Sequence, residues 1–125
     1  MKIAITIWGN RISPVFDSAT TLMIADIEKS VITNRIFKEF SSKKILSQTI
    51  SILKKYQVRV IICGAITDTH SQKIEQNGIK LISFITGNAD KVLTAYIKDR
   101  QRIFDFLMPG MISNSTLNKK FSTFY

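Results

Sequence analysis

The sequence predicts an α/β protein, a three-layer α/β/α sandwich built on a mixed five-stranded sheet in the order βββαβαβα. Three observations lead there. Short apolar runs open the chain and recur at 59–64 and 79–84, each too short for a buried helix. From residue 42 to 98 these runs alternate with stretches of helical period, and alternation of strand and helix demands parallel pairing with right-handed crossovers. The first three strands instead follow one another without an intervening helix, which makes the sheet mixed.

The first strand is residues 2–8, where Ile3-Ala4-Ile5-Thr6-Ile7-Trp8 is almost wholly apolar. The chain then turns to Gly, Asn, Ser, Pro and Asp between Gly9 and Ala19, residues that make turns and expose backbone groups. A loop of this length inside a compact domain is more often functional than accidental. Residues 21–28 form the second strand and 31–39 the third, joined by a tight turn near Lys29-Ser30. The third strand has apolar residues on both faces, most cleanly at the even positions Ile32, Ile36 and Phe40. Ser41 or Ser42 can cap a first helix whose inner side holds Ile45, Leu46, Thr49, Ile50, Leu53 and Tyr56. Arg59 to Gly64 reads as a buried strand. Asp68 or Thr69 can cap a short helix ending at Asn77-Gly78, and 79–84 is the last strand. Asn88 opens a helix with Val92, Leu93, Tyr96 and Ile97 inward. Beyond residue 99 the pattern decays: Ile103 to Gly110 is apolar but aperiodic. Residues 1–112 are expected to form one domain and 113–125, rich in Ser, Thr, Asn and Lys, a mobile tail.

At 125 residues with 45% hydrophobic content, one core without disulfide or metal staples is expected. No apolar run reaches membrane-spanning length, and Met1-Lys2 leads into strand residues without a secretory pattern. One cysteine excludes an internal disulfide, and the chain reads as cytoplasmic. The net charge of +9 suits nucleic acid, an anionic cofactor or an acidic partner. Its basic residues are scattered, however, and no RNA-reading aromatic motif interleaves them. A solvated basic surface is the plainer reading.

Ligands of open α/β sheets bind at the carboxyl ends of parallel strands. Three loops reach that edge: Gly9 to Ser18, Gly64 to Asp68, and Ile85 to Asp90. Each carries a Gly that lets a ligand approach the backbone, and two run into helix N-termini, where free N–H groups favour an anion. Arg11 and Asn10 add charge and hydrogen bonds. Cys63 ends a buried strand and is either a small inert hydrophobe or a soft metal ligand. His70 is expected to face solvent, and one His is not a metal motif. Asp17 braces its loop or acts as a base. Trp8 and Phe16 stack on a ligand or, the simpler expectation, pack in the core. No phosphate-binding Gly motif, Cys pair or dinucleotide fingerprint occurs, and the first strand lacks the carboxylate that two-metal nuclease chemistry needs.

The loop Gly9-Asn10-Arg11-Ile12-Ser13-Pro14-Val15-Phe16-Asp17-Ser18-Ala19 resembles the signature of the dinitrogenase iron–molybdenum cofactor biosynthesis family. Ile62-Cys63-Gly64-Ala65-Ile66, Phe84-Ile85-Thr86-Gly87 with Val92 to Tyr96, and Met108-Pro109-Gly110 support it, and the resemblance spans about residues 1–111. It implies a ribonuclease-H-like fold and a small non-catalytic carrier or accessory protein for an anionic iron–sulfur or iron–molybdenum cluster, or its precursor. The implied site is Gly9, Asn10, Arg11, Ser13, Phe16, Asp17, Gly64, Ala65, Thr86 and Gly87, with Cys63 as a metal ligand. Partner proteins of cluster assembly are implied as well. Val15 and Met111 stand where many members carry a polar residue, often His, and Cys. Cys63 and His70 are then the strong soft and imidazole donors that remain. Two other readings stay open: a ligand-free interaction module docking through 103–112, and a nucleic-acid-binding protein. The sequence leaves the oligomeric state open.

Overall fold

A computed structural model describes residues 1–40 and 46–110. The helix cap expected at Ser41 or Ser42, the inward Ile45, Met111 and the tail expected over 113–125 all lie outside the described residues.

The strands are β1 (Lys2–Trp8), β2 (Arg11–Ile12), β3 (Thr21–Glu28), β4 (Val31–Glu39), β5 (Val60–Ile62) and β6 (Lys80–Ile82). The helices are α1 (Leu46–Lys55), α2 (Asp68–Gln76) and α3 (Ala89–Lys98), with 3-10 turns at Phe16–Ser18 and Arg100–Phe106. The sheet runs β4-β3-β1-β5-β6, with β2 pairing to β1 beside this path. β3 is antiparallel to both β1 and β4, while β1, β5 and β6 are parallel. This is the expected mixed sheet, with one addition. The loop contributes a two-residue strand, because Gly9 at φ +64° folds the chain back so that Arg11 faces Trp8.

Alternation along the strands builds two cores, one on each face of the sheet. Ile3, Ile5 and Ile7 of β1 pack with Val92, Leu93 and Tyr96 of α3. Ala4 of β1 and Ile61 of β5 pack with Leu53 of α1, Ile74 of α2 and the ring of Phe16. Two layers of helix therefore enclose the sheet.

Three details differ from expectation. The even-numbered face of β4 is not continuous: Asp26 faces Asn34 but Ile27 faces Ile32, so Thr33 is an extra residue. The bulge reverses parity, sending Ile32 to the α3 side and Ile36 to the α1 side. The aperiodic segment after residue 99 is ordered as a 3-10 helix capped by the Asp99 side chain. Its three-residue turn, which a 3.6-residue period does not detect, brings Ile103 fully into the α3-side core with Phe106 packed against it. Trp8, expected in the core, is 72% exposed. It falls at the last paired position of β1, opposite Arg11 at the tip of the β1–β2 hairpin.

Candidate functional site

The Gly9–Ala19 loop is laid across the carboxyl ends of the parallel strands by backbone bonds. Its first half joins the α3 side: Ile12 N–H donates to Gly87 O at 2.9 Å, and Ala89 N–H donates to Asn10 O at 2.9 Å. Its second half joins the β5–α2 side: Ala65 N–H donates to Pro14 O at 2.8 Å, and Phe16 N–H to Ala65 O at 2.8 Å. Between them Ser13 N–H donates to Thr6 O at 2.9 Å. The loop thus straddles the sheet edge and separates the expected site residues into two groups. Gly9, Asn10 and Arg11 lie by Gly87 and the start of α3, whereas Ser13, Phe16 and Asp17 lie by Gly64, Ala65 and α2.

Gly64 shows why the loop can sit so low. A Cβ there would overlap the carbonyl oxygens of Ser13 and Pro14, so its missing side chain admits the protein's own loop rather than a ligand. Gly87 is at φ +126°, with the Phe106 ring 3.3 Å from where a Cβ would stand. Phe84, just after β6, is left-handed at φ +62°, which costs an ordinary residue about 1–3 kcal/mol. Bonds from Phe84 N–H to Gly64 O and from Met108 N–H to Phe84 O hold it there.

Much of the expected backbone cradle is occupied internally. The amides of Ser13, Phe16, Ala65 and Ala89 are the donors just described, and Thr86 N–H donates to Phe106 O. Both helix starts are capped as well, α2 by Thr67 and α3 by Asn88, and each carries an acid in its first turn, Asp68 and Asp90. What the edge presents to a ligand is therefore side chains. Asn10, Arg11 and Asp17 are exposed, while Phe16 and Ser13 are buried. Ser13 Oγ donates back to Val15 O at 3.1 Å.

His70 does not simply face solvent. Its Nδ1 lies 2.6 Å from Asp17 Oδ1 and is sealed from solvent, although the two groups are not aligned as a straight hydrogen bond. The ring also meets Phe16 edge-on at 6.3 Å. With Nδ1 covered and the side chain 32% exposed, the accessible part of the imidazole is the Nε2 edge. No sequence signal links these residues, because Asp17 and His70 belong to elements far apart in the chain. Cys63, the expected metal ligand, is fully buried in the α1-side core, its Sγ 3.4 Å from Gly64 O. Among the described residues no group of three or more His, Cys, Asp or Glu side chains is placed to hold a metal ion.

Two concavities are relevant. The larger, about 580 Å³, lies at the opposite end of the strands among Lys2, Lys54 and Arg59 and contains no imidazole or thiol. The smaller, about 270 Å³, lies against the loop between Trp8, Ser13, Pro14, Ser18 and Thr20. The chemistry of the donors, not the volume, favours the loop edge.

The sequence pattern of the family described as dinitrogenase iron–molybdenum cofactor matches residues 1–99. Among solved structures, the crystal structure of PH0822 superposes with a TM-score of 0.72 at 18% identity, covering 78% of this chain and 89% of its own. A Methanocaldococcus jannaschii protein provisionally described as a dinitrogenase gives 0.65 at 23% identity, covering 78% and 88%. A Thermotoga protein provisionally described as NifB gives 0.63 at 18% identity, covering 79% and 89%. At such identities the likeness is one of fold. No curated protein matches closely enough to add to it.

Proposed function

The chain belongs to the dinitrogenase iron–molybdenum cofactor family, and from that premise we propose that it is a non-catalytic carrier of an anionic iron–sulfur or iron–molybdenum cluster, or its precursor, in metallocluster assembly. The observation that carries the proposal is the rim of the straddling loop. It exposes Arg11 and Asn10 on one side and a carboxylate-backed imidazole on the other. With Nδ1 covered by the Asp17 carboxylate, the ring offers its Nε2 edge to a ligand. A preassembled cluster brings its own sulfides, so one protein donor with hydrogen-bonding and cationic neighbours suffices to hold cargo that must later be released. His70 takes the ligand role. Cys63 stays a core residue.

The test is anaerobic reconstitution with iron and sulfide, followed by visible absorbance and metal analysis. We expect a brown protein with near-stoichiometric iron. His70→Ala and the pair Asn10→Ala with Arg11→Ala should each lose at least half of the iron while unfolding at an unchanged temperature, and Cys63→Ala should keep it. A colourless wild type would overturn cluster carriage. It would favour the second reading, docking of an assembly partner, for which exposed Trp8 and Val15 beside the same rim speak.

A further inference from the structure

β4 lies at the outer edge of the sheet, paired only with β3 among the described strands. The direction of its free hydrogen-bonding groups follows from the ladder. Phe40 N–H donates to Thr20 O at 2.8 Å, and from Glu39 back to Asn34 the register with β3 is regular. In an antiparallel ladder bonded and non-bonded pairs alternate, so Lys38, Ile36 and Asn34 turn their backbone groups inward. Arg35, Phe37 and Glu39 turn theirs outward. The side chains of these three share the α3 face, where Arg35 is steadied by Asp90 at 3.2 Å and Phe37 is 56% exposed.

We propose that this edge joins two copies of the chain, antiparallel, with Phe37 opposite Phe37 of the second copy. In that register Arg35 falls opposite Glu39 of the second copy and Glu39 opposite its Arg35. Three bonded pairs thus form across the axis, each exchanging both N–H···O bonds, and the outer two are also opposite charges on one face. Cross-strand partners of opposite charge favour a pairing and like charges oppose it. The neighbouring registers that use the same outward groups lack this match. Centring on Ile36 sets Arg35 against Phe37, and centring on Lys38 sets Glu39 against Phe37 and lysine against lysine. The two-fold arrangement uses the same patch on both copies and is closed. The bulge at Thr33 ends the regular edge, which confines the contact to a few residues. Such a small interface and the +9 charge of each copy make the dimer weak, with dissociation on the order of 100 μM.

Sedimentation of the full chain at about 0.15 M salt, where charges beyond about 8 Å are screened, tests this. The wild type should dimerise with concentration. Glu39→Arg and Arg35→Glu should each weaken association at least tenfold. An equimolar mixture of the two should restore it, because each copy then faces its complement. Phe37→Pro should stay folded and monomeric, since the amide it removes points outward and is absent from the β3 ladder. A wild type still monomeric at about ten times that concentration, or a dimer that ignores both charge variants, would overturn the proposal. If Phe37→Pro does not fold, the mixture alone decides.

Discussion

Tyr96 sits on the inner face of α3, 2% exposed, and its hydroxyl finds no partner among the described residues. Burial pushes its ionisation up, while Arg100 pulls weakly the other way. Because the folded value lies above the unfolded one, near 10, this group's contribution to stability is complete below about pH 10 and is lost as the pH rises past it. Tyr96→Phe should remove that alkaline share. It should also raise stability at neutral pH by about 1 kcal/mol, since an unsatisfied buried hydroxyl disappears. Urea unfolding of both proteins at pH 7 and above pH 10 checks both statements. Tyr96 was legible as an inward residue from helical spacing alone. The contact of His70 with Asp17 was not, because their approach depends on where two distant elements are placed.

Elements whose pattern repeats were readable. The apolar runs of β1, β3, β5 and β6, the capping and terminating residues of α2 and the helical spacing of α3 name those elements, and the parallel pairing of the later strands follows from their alternation with helices. What escaped lacks such a period: β2, the 3-10 turn at Phe16–Ser18 and the one at Arg100–Phe106. These are set by tertiary bonds rather than by local pattern. The loop was recognisable as a candidate site from its composition, yet the use of its amides was hidden, since the acceptors of Ile12 and Phe16 N–H, Gly87 O and Ala65 O, lie far along the chain. Gly64 carries the element-scale prediction. Gly64→Ala forces the loop off the strand end and should cost about 3 kcal/mol, the top of the usual range for overpacking. It should also expose the Asn10–Arg11 rim to proteolysis before global unfolding. Calorimetry with timed digestion measures both. An alanine variant as stable as the wild type would show that the loop does not need this close approach.

At the scale of the whole molecule the dominant quantity is the excess of 18 basic over 9 acidic residues. A few exposed ion pairs, such as Arg35 with Asp90 at 3.2 Å, offset little of the self-repulsion. Raising salt from about 0.02 to about 0.2 M shortens the screening length, and the melting temperature should rise. A relief of about 1 kcal/mol corresponds to roughly 4 °C for a chain of this size, and scanning fluorimetry resolves it. A falling melting temperature would mean that specific pairs outweigh the net charge. The loop that crosses the strand ends also bears on how such a chain changes over generations. Its course is set by carbonyl and amide groups, which every residue except proline supplies in full, by the turn at Gly9 and by Gly64 beneath it. The side chains at 10, 11, 15 and 17 are therefore free to drift without cost to the framework. Replacing one polar group by an apolar one there alters the chemistry of the rim and leaves its shape intact. A lineage can change that surface by single substitutions, while position 64 remains closed to nearly every mutation.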